Sequence, residues 1–236
     1  MINKLQEAID NSNRIVFFTG AGMSTASGIP DFRSATGLYK NCYRAEEMLS
    51  HHFFIDDPDE FYEFYKTKMI YPHALPNDAH LFMAKLQDTK DVKIVTQNID
   101  GLHQKAGSKI VYELHGSILR NYCTNCENFF DLDYIMHSNS NVPKCDKCGS
   151  IIKPNVVLYE EGLDDKTVNN AVNAIANCDL LAVCGTSLNV YPAASFIRYF
   201  RGKYLAIINR DETSYDSNCD IVIHDDLCKT FNSLHI

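Results

Sequence analysis

The stretch from Gly20 to Arg33, GAGMSTASGIPDFR, decides the fold of this chain. It follows the apolar run from Ile15 to Phe18, and a β-branched and aromatic run that opens into Gly-x-Gly is typical of a buried parallel strand and a tight turn. Such glycines let the backbone approach a phosphate. The unpaired N–H groups at the start of a following helix would face the same phosphate. On these residues alone, a turn that merely connects a strand to a helix stays open. The residues expected to face a nucleotide are Gly20, Ala21, Gly22, Ser24, Thr25 and Ser27.

The continuation of this stretch departs from the dinucleotide-binding fingerprint. Gly-x-Gly-x-x-Gly needs a third glycine where Thr25 stands, and an acidic ribose-binding residue about 20 residues after the turn is also missing. Both departures disfavour a dehydrogenase. The Gly-Ile-Pro sequence that follows ends any helix, so we expect Asp31, Phe32 and Arg33 to project from a loop that covers a cofactor.

The composition excludes several function classes. Of the 236 residues, 45% are hydrophobic, which suits a globular enzyme-sized domain with a substantial core. The net charge of −8 argues against direct nucleic-acid binding, but it does not exclude a basic protein substrate. No segment is apolar over the roughly 20 residues that span a bilayer, and the N-terminus lacks the apolar core of a signal peptide. We expect a cytoplasmic monomer without a membrane partner.

Four of the nine cysteines form two Cys-x-x-Cys pairs. Cys123 and Cys126 are separated by 18 residues from Cys145 and Cys148. Two such pairs supply four thiolates for one tetrahedral Zn²⁺, and a site with four thiolate ligands leaves no open position for water. The spacing therefore predicts a structural zinc site. A redox role is a weaker interpretation because each pair has a matching partner. The other cysteines are expected to be inert thiols.

Apolar runs alternate with helical periods along most of the chain. Helices are expected over residues 5–13 and 166–177, and residues 38–86 have a helical period broken by prolines. Strands separated by helices indicate an α/β fold with a doubly wound, parallel, Rossmann-like sheet. Ligands bind beyond the carboxyl ends of such strands. The expected strands are 14–19, 92–96, 110–114, 155–159, 180–184, 204–209 and 220–223, and residues at their ends include Gly20, Gln97, Gly185 and Asn209.

Two polar segments lie at these strand ends. The segment from Gln97 to Asp100 offers amides and a carboxylate that can bind a nicotinamide carboxamide, a water or a ribose hydroxyl, although loop capping also fits the residues alone. His115 follows an apolar strand and precedes a glycine, just before the cysteine pairs. A histidine at a strand end is more often structural than catalytic, and His103 is a rival candidate in the same neighbourhood.

Together these motifs resemble those of the sirtuins, the NAD-dependent protein deacylases. The resemblance is carried by GAG-x-S-x-x-SGIPDFR, by Gln-Asn-Ile-Asp-x-Leu-His, by Glu-Leu-His-Gly and by the paired cysteines, in the family's order from Ile15 to about Ile223. It implies NAD as co-substrate, one structural Zn²⁺, and acyl-lysine proteins or peptides as partners. It also implies three parts, which are a Rossmann-like NAD-binding lobe of residues 1–37, 87–118 and 154–236, a helical insertion of residues 38–86, and a zinc-binding module of residues 119–153.

The resemblance further implies a mechanism. The acyl oxygen of the modified lysine displaces nicotinamide, and His115 then acts as general base on the ribose hydroxyls while Asn98 and Asp100 orient the reacting groups. Phe32 would shield the reaction centre, and Arg33 would order the loop. The implied cofactor contacts are Gly20, Ala21, Gly22, Ser24, Thr25, Asp31, Phe32, Arg33, Gln97, Asn98, Ile99, Asp100, His115, Gly185, Thr186, Ser187, Asn209 and Arg210.

The same resemblance implies that the peptide adds as a strand between residues 154–161 and 185–194, with contacts from Val157, Tyr159 and Val190. Tyr159 stands where the family usually has Phe, and Glu160 where it usually has Gly, which puts a charge near the peptide.

The acyl group is expected to be neutral. Sirtuins that prefer acidic acyl groups carry Tyr-x-x-Arg, whereas this chain offers Tyr65-x-x-Lys68 and has no arginine between Arg44 and Arg120. A single lysine lacks the bidentate fork that binds a carboxylate. The aromatic run of this region is expected to line either a core or an apolar groove between two lobes. The side chains that such a groove would offer as an acyl channel are Phe54, Phe61, Tyr62, Phe64, Tyr65 and Met69.

Two alternatives stay open. A protein mono-ADP-ribosyltransferase would break the same cofactor bond for a different acceptor, and a non-catalytic NAD or ADP-ribose sensor could use the zinc module for interactions. The presence of His115 and of the peptide-pairing segments favours deacylation.

Overall fold

The computed structural model describes residues 1–31 and 44–236, and a six-stranded parallel sheet forms its centre. The strands lie in the order β3-β2-β1-β7-β8-β9. This order reverses between β1 and β7, and such a reversal is where open α/β sheets bind ligands. The strands are β1 (Arg14–Thr19), β2 (Asp91–Thr96), β3 (Val111–Glu113), β7 (Leu180–Cys184), β8 (Tyr204–Ile208) and β9 (Ile221–Ile223), while β4 to β6 belong to a second sheet.

Both faces of the parallel sheet are buried. In β1, Ile15 and Phe17 contribute to one hydrophobic core, and Val16 and Phe18 contribute to another on the opposite face. This arrangement explains why the strand is apolar at every position instead of alternating. One core is covered by α1 (Ile2–Asp10), α5 (Asp78–Leu86) and α9 (Leu227–Asn232). The other is covered by α8 (Asp165–Asn177) and a 3₁₀ helix (Ala193–Tyr199).

A second, antiparallel sheet has the order β5-β4-β6. It packs on the helices that precede α5, so segments far apart in the chain share one core that includes Phe54, Phe61, Tyr62, Ile118 and Ile152. Its elements are β4 (Gly116–Cys123), β5 (Phe129–Phe130) and β6 (Ile152–Val156), with α2 (Ala45–Met48), α3 (His51–Asp56), α4 (Pro58–Lys68) and α7 (Leu132–Met136). We call these elements the small-sheet region, and the parallel sheet with α1, α5, α8 and α9 the large-sheet region.

Local sequence explains the position of α4. Asp57 caps the helix, because its Oδ1 accepts the N–H of Glu60 at 3.0 Å, and Pro58 occupies the first turn, where its missing N–H costs nothing. Phe61 and Tyr65, one helical turn apart, stack with ring centroids 5.7 Å apart. The proline that interrupts the helical period in the sequence therefore starts a new helix.

The predicted doubly wound α/β fold is confirmed, and two elements differ from their predicted bounds by more than one residue. The first helix spans Ile2–Asp10 and not residues 5–13. The strand expected at 155–159 is wrong in position, because β6 ends at Val156, and Val157 instead donates its N–H to the carbonyl of His115 at 3.0 Å. In residues 1–31 and 44–236, no helix combines the length and the apolar character that crossing a membrane requires. In the part of the chain that the structure describes, the remaining helices are α6 (Leu102–Lys105) and two 3₁₀ helices, Ala21–Ser27 and Asp216–Asn218.

Candidate active site

Two turns pack against each other where the strand order reverses. The N–H of Gly22 donates to the carbonyl of Gly185 at 2.8 Å, and a Cβ atom at Gly22 would lie 2.9 Å from the Gly185 Cα. Gly185 has φ +62°, and a Cβ there would lie 2.5 Å from the Met23 nitrogen. These glycines are therefore required by turn packing, which is a reason separate from the close approach of a phosphate.

The segment after these glycines is a seven-residue 3₁₀ helix, Ala21–Ser27. The expectation of unpaired N–H groups at its start is wrong for Gly22, which donates to Gly185, and for Met23, which donates to Gly20 at 2.9 Å. The hydroxyl of Ser24 is buried and donates to Asp100 Oδ2 at 2.6 Å. The hydroxyl of Thr25 donates to the Gly22 carbonyl at 3.0 Å.

Asn98 and Asp100 extend from the end of β2 toward this helix. Asn98 Nδ2 donates to the Gly20 carbonyl at 3.0 Å and to Ser24 Oγ at 3.2 Å. Asp100 accepts from Ser24 and, through Oδ1, from the N–H of Leu102 at 2.8 Å. Burial raises the pKa of Asp100, and these two donors oppose that shift. Within the described residues, Asn98 Oδ1 is left as the acceptor for a water or a hydroxyl, whereas both Asp100 oxygens are used to hold the loop.

His115 lies just beyond β3. Its Nδ1 is 2.9 Å from the carbonyl oxygen of Gln97. A carbonyl can only accept, so Nδ1 carries the proton and Nε2 keeps its lone pair. Burial lowers the pKa of His115, and the Gln97 carbonyl partly opposes that shift. The ring is therefore neutral at pH 7, with a fixed orientation and an Nε2 that can accept a proton.

These residues line one cavity of about 430 Å³, which lies between the large-sheet and small-sheet regions and has the size of a ligand site. Of the predicted contacts in the described part of the chain, all except Gly20 and Ser27 line it, and Ser27 Oγ instead accepts from Asn77 Nδ2 at 3.0 Å. Phe32 and Arg33 lie outside the described residues. The lining includes Ala21, Gly22, Ser24, Thr25, Asp31, Gln97, Asn98, Ile99, Asp100, His115, Val157, Tyr159, Gly185, Thr186, Ser187, Val190, Asn209 and Arg210.

Other lining residues were missed from the sequence. Asp225 to Cys228 follow β9, which lies beside β8. Ligands bind beyond the carboxyl ends of parallel strands, so these residues could have been identified if the strand order had been known. Leu49 and Tyr71 were also missed, whereas Lys68, which the sequence analysis considered for the acyl group, does line the cavity. Of the two interpretations of the aromatic run, the core is confirmed and the acyl channel is wrong. Met69 lines the cavity, but Phe54, Phe61, Tyr62, Phe64 and Tyr65 are buried in the cores of the small-sheet region and are not part of the cavity wall.

The predicted peptide-pairing segment is anchored to the small-sheet region. The N–H of Tyr159 donates to the Leu49 carbonyl at 3.0 Å. The carbonyl of Tyr159 accepts from the His51 N–H, also at 3.0 Å. Glu160 has φ +77°, in the region that favours glycine. Its carboxylate accepts from the His52 N–H at 3.0 Å and lies 2.7 Å from His52 Nδ1. The charge expected near the peptide is thus paired with a histidine.

The opposite side of the cavity comes from the loops after β7 and β8. Thr186 Oγ1 accepts from Gln97 Nε2 at 3.4 Å, which connects the loops after β7 and β2. Asn209 Nδ2 donates to the Asp211 carbonyl at 2.7 Å, and Arg210 lies 4.0 Å from Asp226. These contacts hold the two loops that contain Gly185, Thr186, Ser187, Asn209 and Arg210, five of the predicted cofactor residues.

The four paired cysteines converge at the end of the small-sheet region. Their Sγ atoms all lie within 4.8 Å of one another, with Cys123 and Cys148 3.3 Å apart and Cys126 and Cys145 3.6 Å apart. Four zinc–sulfur bonds of about 2.3 Å in a tetrahedron place the sulfurs about 3.8 Å apart, so the cluster fits one Zn²⁺. The N–H groups of Asn125 and Cys126 also approach Cys123 Sγ at 3.5 Å, as in a metal-binding knuckle.

Comparison with known proteins is consistent with this geometry. The NAD-dependent protein deacetylase of Clostridium perfringens (strain 13 / Type A) is 56% identical over 239 residues, covering 99% of this chain and 98% of that protein. A solved structure of Sir2 with p53 peptide and NAD⁺ has a TM-score of 0.89 and 36% identity, covering 99% of this chain and 96% of that one. A Sir2 variant with deacetylated p53 peptide and 3′-O-acetyl-ADP-ribose has a TM-score of 0.91 and 37% identity, covering 98% and 96%. The model of the Sir2 family matches residues 20–192, more than half of the sequence, and this chain therefore belongs to the Sir2 family.

Proposed function

We propose that this protein is an NAD-dependent protein deacetylase that removes acetyl, or other neutral acyl, groups from lysine side chains. The products are nicotinamide, O-acyl-ADP-ribose and the free lysine. The proposal rests above all on His115, whose Nδ1 proton is fixed by Gln97 in the cavity that Asn98 also lines. Relatives with the deacetylase name cover almost the whole chain, which supports the same reaction.

NAD, when bound, supplies the bond between nicotinamide and C1′ of the ribose, which is the bond that breaks. His115 then accepts a proton from a ribose hydroxyl at Nε2, and its lowered pKa keeps this nitrogen unprotonated at neutral pH. Asn98 orients a water or hydroxyl through Oδ1. Asp100 acts indirectly, because its two oxygens hold Ser24 and the N–H of Leu102.

The other predicted contacts are proposed by position. Ala21, Gly22, Thr25, Asp31 and the loop residues Gly185 to Ser187 would face the phosphates and ribose, and Asn209 and Arg210 the adenosine. Phe32 and Arg33 keep their predicted roles as cover of the site. Val157, Tyr159 and Val190 would contact the substrate peptide, and lining of the same cavity supports this assignment for the described residues.

The cysteine cluster would hold one Zn²⁺ with a structural role, because four thiolates leave no position for water. We propose the same three parts that the sequence implies. NAD is bound by residues 1–37, 87–118 and 154–236, residues 38–86 form a helical insertion, and residues 119–153 form a zinc module. We further propose a cytoplasmic monomer that acts on protein lysines and not on nucleic acid. Nine cysteines, four of them suited to binding metal as thiolates, fit a reducing compartment.

The decisive experiment compares the wild-type protein with His115→Ala in the presence of NAD and an acetyl-lysine peptide. Wild type should release nicotinamide and O-acetyl-ADP-ribose in equal amounts, and the variant should lose about 100-fold or more in kcat while still binding NAD. His73→Ala changes an exposed histidine and should behave as wild type. Full turnover by His115→Ala would exclude His115 as the base. Transfer of ADP-ribose to the peptide without loss of its acetyl group would favour the transferase alternative.

A further inference from the structure

Two buried histidines lie behind the candidate active site and take no direct part in the chemistry proposed above. His80 belongs to α5 and His103 to α6, and 0% and 1% of their respective surfaces are exposed. Their ring centroids are 4.7 Å apart. Among the residues that the structure describes, His80 Nε2 and His103 Nδ1 have no hydrogen-bond partner. An unpaired polar atom in such a place is costly, so the pair requires an explanation.

The other nitrogen of each ring is engaged. His80 Nδ1 accepts the backbone N–H of Asn77 at 3.4 Å, as part of the capping box that starts α5. His103 Nε2 lies 3.0 Å from Thr19 Oγ1, and that hydroxyl donates to Thr96 Oγ1 at 2.8 Å. Burial lowers the pKa of His80 to about 4 and that of His103 well below its ordinary value. Each ring is therefore neutral at pH 7 and has one N–H.

These contacts determine where the two protons lie. Because the Asn77 N–H can only donate, His80 Nδ1 keeps its lone pair and Nε2 carries the proton. Because the Thr19 hydroxyl gives its proton to Thr96, it accepts from His103, so His103 Nε2 carries the proton and Nδ1 keeps its lone pair. The two unpaired atoms are therefore a donor and an acceptor. The opposite tautomer of His103 would set two buried donors side by side.

We propose that His80 Nε2–H donates a hydrogen bond to His103 Nδ1, and that the two histidines are positioning residues for Asn98. The ring centroids are 4.7 Å apart, which makes each ring a direct neighbour of the other and the nearest source of the partner that each nitrogen lacks. From His103 the connection passes through Thr19 to Thr96, whose Oγ1 also accepts the backbone N–H of Asn98 at 3.0 Å.

The opposite end of the connection reaches the same site. Asn77, which bonds His80, donates through Nδ2 to the Met23 carbonyl at 2.8 Å and to Ser27 Oγ at 3.0 Å. Met23 adjoins Ser24, and Ser24 Oγ accepts from Asn98. The bond between the histidines thus completes a closed series of hydrogen bonds. This series fixes the 3₁₀ helix Ala21–Ser27 and the loop after β2 relative to each other. The functional part of this inference rests on the proposed function, whereas the bond itself does not.

Proton–nitrogen correlation spectra of isotope-labelled wild-type protein test the bond without any assay of activity. We expect both histidines to be protonated at Nε2 at pH 7, a His80 Nε2 proton that exchanges slowly with solvent, and a His103 Nδ1 shift typical of a hydrogen-bond acceptor. A His103 protonated at Nδ1 would overturn the proposal. So would a His80 Nε2 proton that exchanges as fast as that of the exposed His73.

Two variants cut the bond and leave its neighbours in place. His80→Asn keeps an acceptor for the Asn77 N–H but loses the Nε2 donor, and His103→Gln keeps a donor for Thr19 but loses the Nδ1 acceptor. We expect each variant, and the double variant, to lower kcat by a similar factor of about 10 to 100, with the peptide KM changed less than about twofold. His73→Asn is the control. The proposal would be contradicted if the loss of kcat in the double variant were the product of the two single losses. It would also be contradicted if folded variants kept the wild-type kcat, because the histidines would then only fill the core.

Discussion

The large-sheet and small-sheet regions are stabilised in different ways. In the large-sheet region, strands such as β1 are buried on both faces, and neighbours in the sheet are held in register by continuous parallel ladders. In the small-sheet region, the helices α3 and α4 pack on strands that begin 48 or more residues later in the chain, and the four cysteines lie at the end of this region. The large-sheet region can form its core without a metal ion. The small-sheet region combines a modest core with a cysteine cluster that fits one Zn²⁺. This difference suggests that each region can be perturbed separately.

The largest effect is expected from removing one cysteine ligand. Cys145→Ser should abolish stoichiometric zinc binding, because metal binding to such sites contributes on the order of 10 kcal/mol in small zinc-binding peptides. Hydrogen exchange should show loss of protection in α4 and β6, while β1 and β7 stay protected. Cys219→Ser, which changes a thiol outside the cluster, should keep both zinc and protection. Wild-type protein purified without chelators that contains no zinc would contradict this prediction, and so would equal loss of protection in β1 and α4.

The next largest effect should come from the contact between the two glycine turns. Gly185→Ala requires a left-handed conformation and places a Cβ 2.5 Å from the Met23 nitrogen, so we expect it to lower the free energy of unfolding by about 2–5 kcal/mol. Gly28→Ala is the matched control. Its φ is +85° but nothing lies within 4 Å of the added atom, so it should cost about 1 kcal/mol. Urea unfolding measures the free energy of unfolding of both variants. An equal loss in Gly185→Ala and Gly28→Ala would mean that the two glycine turns move apart to accept the added atom.

Much of this arrangement could be predicted from the sequence, for physical reasons. The run from Ile15 to Phe18 is apolar at every position because it is covered on both sides, and the spacing of the cysteines reflects the geometry of one tetrahedral ion. That Asn98 and His115 line one cavity could be predicted because the carboxyl ends of parallel strands share one edge of the sheet, whereas their roles in catalysis follow from the family resemblance and stay predictions.

Other features could not be predicted because they depend on distant contacts. The period of α4 shows that Phe61 and Tyr65 share a face, but not whether that face meets a cavity or another core, and it meets β4 and β6. The pairing of Tyr159 with Leu49 and His51 joins residues more than 100 positions apart. The link between His80 and His103 depends in the same way on how α5 and α6 are placed behind the sheet.

A moderate effect is expected from the acyl group of the substrate. The small-sheet region and the residues that flank its elements contribute Leu49, Lys68, Met69, Val156 and Leu158 to the cavity wall, and none of these is an arginine. A succinyl carboxylate would lose its hydration without a bidentate partner, so kcat/KM should be at least about tenfold lower than for acetyl-lysine in the same peptide. A butyryl group carries no such penalty and should stay within about fivefold of acetyl. Lys68→Ala should leave the acetyl and succinyl rates almost unchanged. Succinyl turnover that equals acetyl turnover in wild type and falls in Lys68→Ala would show that Lys68 recognises the carboxylate.

The smallest effect concerns Glu161, at the point where the chain leaves the small-sheet region. Its Oε2 accepts from Lys153 Nζ at 3.0 Å and from the Leu158 N–H at 2.9 Å, and its Oε1 lies 2.8 Å from His51 Nδ1. Burial alone would raise the pKa of this carboxyl, but the Leu158 N–H, His51 and Lys153 together hold it below its ordinary value of 4.5. The charged form is therefore more favourable in the folded state than in the unfolded state, so Glu161 contributes stability above pH 4.5 that is lost as the pH falls through the lower folded pKa.

Glu161→Gln tests this contribution, because the amide keeps the size of the side chain and removes its charge. At pH 7 the variant should be less stable by at most about 1 kcal/mol, since the group is only half-buried and solvent screens its partners. Urea unfolding at about pH 7, 5 and 3.5 should give a constant difference between variant and wild type down to pH 5 and a smaller one at pH 3.5. Asp133→Asn, which changes an exposed carboxylate beside His137, should show no difference at any of these values. A Glu161→Gln difference that stays constant or grows at pH 3.5 would mean that the shape of the side chain, and not its charge, connects the two regions here.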